Sequence, residues 1–368
     1  MNKDENKKVL ASPPAQGERV GVRGQSATRH HLPLTPTLSP LTRGEAVFYK
    51  RLLVGLTLCF SFSVPAFAQP YPSKPIRLIV PLAPGGPSDI LARTIGGAIT
   101  PTLGQQVIVD NRAGAGGILG TDLAAKAPAD GYTLLLIGMS SYTITAALYA
   151  KLPFDPNRDL TAVTVLAASP FILLVHPSLP VLNVQQLIAL ARARPNELNY
   201  ASGGAATHPQ MVMEILKLKT GMKITHIPYK GTGPALTETI AGQMQVSMFG
   251  ILAALPPVQS GRLRALAVTE ARRSALLPEV PTLAEAGVDG INEAAAHMIM
   301  VPAATPKEII ARLNREMVAA LQNPAVKSRL AGEGAEAVGN SPEQATAAVR
   351  ADLDKWIDVV RRTGIKLE

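Results

Sequence analysis

The sequence predicts an α/β protein with two sheets, each flanked by helices, on three observations. Short apolar runs alternate with stretches of helical period along most of the chain. Two strand–glycine–helix junctions recur, at 83–89 and at 202–208, as two similar lobes facing one cleft would require. The length of 368 residues suits about two domains with substantial cores.

Taken in order, residues 1–45 are rich in Pro, Gly, Arg and Thr without a hydrophobic period. They are expected to be disordered. They read as an over-extended gene model, with initiation near Val47. Residues 46–68 fit a cleavable secretory signal: Lys50-Arg51, the apolar run Leu52–Val64, then Ala66-Phe67-Ala68. Cleavage after Ala68 would start the mature chain at Gln69. It would also remove Cys59, the single cysteine, which excludes an internal disulfide. A lipobox fails because Leu58, before Cys59, is too large.

Ile76–Pro81 reads as a strand buried on both faces. Leu91, Ile95 and Ala98 then mark a helix. Between them, Ala83-Pro84-Gly85-Gly86-Pro87-Ser88-Asp89 has the glycines, helix-starting proline and capping residues that aim N–H donors and a positive dipole end at one point. That suits a carboxylate or phosphate; a tight turn that binds nothing is the alternative at this stage. Gln106–Asp110 is the next strand, and a helix from about Gly117 to Ala127 follows a glycine-rich turn. Tyr132–Ile137 is a strand ending in the hydroxyl-rich loop Gly138–Thr143, at the carboxyl end where open α/β sheets bind ligands. Ordinary helix capping is the rival reading of that loop.

Pro153–Asp159 connects to two strands, Thr161–Leu166 and Phe171–His176, and Val184–Ala193 is an amphipathic helix. Leu198–Ala201 leads into the second junction, Ser202-Gly203-Gly204-Ala205-Ala206-Thr207-His208, with His208 read as a cap or surface residue. Thr225–Pro228, Gln245–Met248, Leu263–Thr269 and Ala294–Pro302 are further strands. Ala235–Ala241, Pro306–Leu321 and Pro342 to about Arg361 are helices, the last carrying Trp356 as a packing residue.

Composition narrows the chemistry. The net charge of +9 is concentrated at the front: residues 1–68 hold nine Lys/Arg and four Asp/Glu, leaving 27 and 23 scattered downstream. No basic stripe interleaves with aromatics, so nucleic acid is not expected as a partner. G-x-S-x-G, the Gly-Lys pair of a P-loop and G-x-G-x-x-G are all missing. His176, His208, His226 and His297 lack H-E-x-x-H spacing and have no acidic neighbours close in sequence, so no metal is expected. An exported α/β chain with glycine-built pockets and no nucleophile, metal or cofactor motif reads as a binder rather than an enzyme.

The segments 71–89, 111–135, 198–204, 226–236, 261–287 and 302–314, including APGGPSD, NRAGAGG, LNYASGG and HIPYKGTGPAL, stand in order from Tyr71 onward. They resemble the periplasmic solute receptors of tripartite tricarboxylate transporters, the Bug or TctC family. The resemblance implies a two-lobed, Venus-flytrap (type II-like) periplasmic binding protein that closes on a small carboxylate and hands it to membrane permease subunits. It implies a monomer needing no cofactor, with lobe one formed by 69–170 and 290–368 and lobe two by 171–289. Site roles carry over to Leu82, Ala83, Gly85, Gly86, Ser88, Asp89, Ser140 and Ser141 in lobe one. In lobe two they carry over to Ser202, Gly203, Gly204 and Thr207, with Phe249 beside them. The chain departs from the family pattern at Leu82, where Phe is common, at Phe249, where Asp is usual, and at Ala296, the Trp position. A periplasmic sensing subunit and, further off, a secreted hydrolase are the alternative functions.

Overall fold

The computed structural model describes residues 71–365. The expectations for the 1–45 extension, the 46–68 signal and cleavage after Ala68 therefore lie outside the described residues. Chain order is β1 (Ile76–Val80), α1 (Pro87–Leu103), β2 (Val107–Asn111), a 3-10 turn at Ala115–Gly117, α2 (Ile118–Ala125), β3 (Thr133–Gly138) and α3 (Met139–Leu148). Next come β4 (Leu160–Val175), α4 (Val184–Ala193), β5 (Asn199–Ser202), α5 (His208–Thr220), β6 (Thr225–Pro228), α6 (Thr232–Ile240), β7 (Val246–Gly250) and α7 (Ile251–Gln259). The chain ends with β8 (Arg264–Val268), β9 (Ala294–Pro302), α8 (Lys307–Gln322), α9 (Pro324–Gly332), β10 (Glu336–Ala337) and α10 (Pro342–Thr363).

Two lobes result, each a mixed sheet flanked by helices. In the first, β1 lies parallel to β2 and β3, Ile76 opposite Val107 and Leu78 opposite Leu134. Its apolar run is buried on both faces, with Ile76, Ile79 and Val80 fully enclosed. Strand β9 then pairs antiparallel with β3 and β4. In the second lobe β4 pairs antiparallel with β7 and β8, and β5 runs parallel to both β6 and β7.

The two strands expected at 161–166 and 171–176 are one, β4, running 16 residues through both sheets. Ala167 and Ala168 offer no turn chemistry and no glycine follows them, so the ladder continues across 167–169. Pro170, opposite Ala294, closes the pairing with β9, and Phe171, opposite Gly250, opens the pairing with β7. A proline is tolerated there because partners change at that point and no ladder N–H is required.

Other differences follow from similar causes. Gly138–Thr143 is not a loop: the helix begins at Met139, and the hydroxyls lie in its first turns. Helix α7 escapes a sequence reading because its apolar start continues the run of β7, while Pro256-Pro257 look like punctuation. Trp356 is fully buried beside Ile144, Ala206 and Met211, as a packing residue should be. His208, read as a cap or surface residue, stands at the first position of α5 and is buried.

Candidate functional site

Between the lobes lies a cavity of about 50 Å³, on the scale of a few water molecules or a small ligand group. Its floor is strand: Ile137 and Gly138 from β3, Phe171 from β4, and Ala295, Ala296 and His297 from β9. Helix starts supply the other walls. Pro87 and Ser88 open α1, Gly138 and Ser141 open α3, Thr207, His208 and Pro209 open α5, Thr232 opens α6 and Gly250 precedes α7.

In none of these five helices does the N-cap side chain accept from a first-turn N–H, although the His208 N–H at the start of α5 is taken by Ser141 Oγ. By contrast, the N-caps of α4, α9 and α10 are filled by Asn183, Asn323 and Ser341, and none of those three residues touches the cavity. Each uncapped start presents roughly half a positive charge together with N–H donors. Five of them meet where no Lys or Arg is present among the described lining residues. The arrangement can hold an anion by backbone dipoles alone.

The structure divides the residues expected at the site. Leu82, Ser88, Ser141, Gly203 and Thr207 line the cavity. The others have different work. The Ala83 N–H donates across the cleft to the Lys230 carbonyl at 2.9 Å. The Gly85 N–H, expected to face a ligand, donates instead to Asp89 Oδ2 at 3.0 Å. Burial pulls the Asp89 carboxyl upward, but Arg93, that N–H and Asn111 outweigh it and hold the group below the ordinary range. Asp89 thus fastens its own loop to Arg93, which reaches it through two nitrogens at 3.0 and 3.1 Å. Gly86 lies under Thr232, whose Cβ would be 3.2 Å from any added Cβ.

Ser140 turns away to Asp352 of α10, at 3.1 Å. The Ser202 hydroxyl is shared between His226 and Gly204, and the Gly204 carbonyl accepts from Thr207 Oγ1 at 2.7 Å. Phe249 is wholly buried with Ile172, Ala201 and Val268, on the opposite strand face from a cleft-facing side chain; its neighbour Gly250 lines the cavity instead.

Three lining residues carry chemistry that the sequence did not reveal. Thr232 and Gly250 head helices, and only the fold shows where those helices point. His297 is buried, its Nδ1 without a hydrogen-bond partner among the described residues. Burial pushes its pKa down to about 4, with the Ala295 backbone opposing and His208 adding to the depression. His208 gains an acidic partner that is distant in sequence: its Nε2 lies 3.0 Å from Glu293 Oε2, and Lys355 of α10 reaches the same carboxylate at 2.7 Å. Burial would raise the Glu293 carboxyl, but His208 and Lys355 hold it below its ordinary range. The His208 N–H also donates to Ser141 Oγ of lobe one at 3.0 Å. Phe171 and Trp356 meet the His208 ring edge-on.

Among the described residues no group of His, Cys, Asp and Glu could hold a metal ion, and no helix is long and apolar enough to cross a membrane.

Comparison with known proteins places these features in company. A family model described as "Tripartite tricarboxylate transporter family receptor", TctC, matches residues 91–365. Protein BugT of Bordetella pertussis is 38% identical over 307 residues, 83% of this chain and 94% of that protein. Among solved structures, R. palustris Rpa4515 with adipate superposes with a TM-score of 0.78 at 36% identity, covering 80% of this chain and 99% of that one. MatC from Rhodopseudomonas palustris with bound malate gives 0.76 at 31% identity, covering 79% and 100%.

Proposed function

The chain belongs to the TctC family of tripartite tricarboxylate transporter receptors, and from that premise we propose that it is a periplasmic receptor that binds one small organic carboxylate between its lobes and delivers it to a membrane permease. The family is one of substrate-binding receptors rather than enzymes. The observation that carries the proposal is the convergence of five uncapped helix starts on one cavity without a cationic side chain. Such a site prefers an anion and leaves it chemically unchanged. The adipate and malate named for two relatives support a carboxylate in particular.

We place the lobe boundaries at 170/171 and 289/290. The exchange of β4 partners at Pro170 and Phe171, and the start of β9 at Ala294, support them. Carboxylate exchange would then require the lobes to part, breaking the Ala83–Lys230 and His208–Ser141 hydrogen bonds that cross the cleft.

A thermal-shift screen of mono-, di- and tricarboxylates tests the reading. A ligand at a hundred times its Kd should add about 2.7 kcal/mol of stability and raise Tm by several degrees. No shift with any carboxylate, alongside a shift with cationic or sugar ligands, would overturn it. Ligand-dependent uptake in vesicles holding the permease subunits tests delivery. Binding without uptake would favour a sensing role instead.

A further inference from the structure

Much of the cavity wall is apolar, formed by residues such as Leu82, Ile137, Phe171 and Ala296. Among the described lining residues, one carries a fully buried side-chain polar atom without a partner. His297 is 5% exposed and borders the cavity, and its Nδ1 has no partner among the described residues. A second orphan backs it on the same sheet face. Ala167 lies opposite His297 and Ser169 opposite Ala295, so Ser169 and His297 are diagonal neighbours across the β4–β9 ladder. Such side chains stand roughly 7–8 Å apart at most, measured at Cβ. The Ser169 hydroxyl is also buried and unpartnered. Ser169 does not line the cavity, so it is the bordering His297 ring that a guest can engage, and a buried polar atom left unsatisfied is costly unless something engages it.

We propose that His297 reads an uncharged polar group on the ligand, which makes the ligand class a carboxylate carrying one hydroxyl or carbonyl on an otherwise apolar body. The inference rests on the carboxylate-receptor reading and narrows it. A second carboxylate would meet no Lys or Arg there, and the His208 ring nitrogen nearest a charge is already engaged by Glu293. It would be desolvated against a neutral imidazole, since burial keeps His297 uncharged at neutral pH. A hydroxyl or carbonyl meets an imidazole in either role, as donor or acceptor, with no charge to desolvate.

Calorimetry on the purified exported protein, with two matched triplets, tests this. One triplet is butyrate, 3-hydroxybutyrate and succinate; the other is benzoate, 4-hydroxybenzoate and terephthalate. In at least one triplet the hydroxy acid should bind about tenfold or more tighter than both companions. His297→Leu should bring the ratio of hydroxy to parent acid close to one, and His297→Asn should restore part of it. Circular dichroism checks that both variants fold. If a diacid binds best, or the ratio survives in His297→Leu, the assignment of His297 is wrong while the receptor reading stands. If no member of either triplet binds, and no other carboxylate shifts Tm, both fall together.

Discussion

Two titratable side chains, the buried His297 and the partly buried Glu293, respond to acid in different windows. His297 has its pKa lowered from 6.5 to about 4 by burial. Below pH 6.5 the unfolded chain takes up a proton that the folded chain refuses, so stability falls from there down to about pH 4 and then levels. The total loss is about 3 kcal/mol. Glu293 is lowered against the pull of burial by His208 and Lys355, so its contribution is complete above its unfolded value of 4.5 and disappears only below that. Urea midpoints at pH 7.5, 5.5 and 4.5 should therefore decline in the wild type, and decline less in His297→Leu. Parallel curves for the two proteins would remove His297 as the cause. At this scale the sequence was least informative. Nothing in H-M-I-M announces a buried imidazole, and His208 could be paired with Glu293 only once the fold had brought them together.

At the scale of elements, the lobes meet backbone to backbone. The Gly116 Cα approaches Gly204, and a Cβ on Gly233 would lie 2.0 Å from the Pro84 carbonyl oxygen. Gly233 sits in the first turn of α6 with no positive φ, so Gly233→Ala tests this contact without backbone strain. The expected cost of overpacking, about 1–3 kcal/mol, falls on the closed form and weakens binding roughly five- to a hundredfold. Gly332→Ala, with nothing within 4 Å of its added Cβ, should leave binding unchanged. Equal affinities for all three proteins by calorimetry would show that closure does not depend on this contact. Most elements were legible from period and punctuation: Val184–Ala193, Thr225–Pro228 and Ala294–Pro302 fall where the sequence places them. The unity of β4 was not legible, because Pro170 signals a break unless its register is known. Both glycine junctions come to the cavity between the lobes, where the Gly85 N–H is taken by Asp89 and five helix starts supply further N–H donors.

For the whole molecule, the proposed site of converging dipoles between the lobes differs from a cationic one in its response to salt. Mobile ions screen exposed charges over about 10 Å at 0.1 M, and buried partners far less. Carboxylate affinity should thus change by less than about threefold between 0.05 and 0.5 M sodium chloride. A tenfold loss by calorimetry would point to exposed Lys or Arg in the recognition. The same feature bears on descent. A donor that belongs to the main chain survives every single exchange except one for proline, whereas the side chains of Leu82, Ala296 and His297 change with any substitution. On the proposed mode of binding, mutation is free to alter which carboxylate is preferred while most of the main-chain hold on it persists. A duplicated copy of this gene can drift toward a new nutrient without first passing through a form that binds nothing.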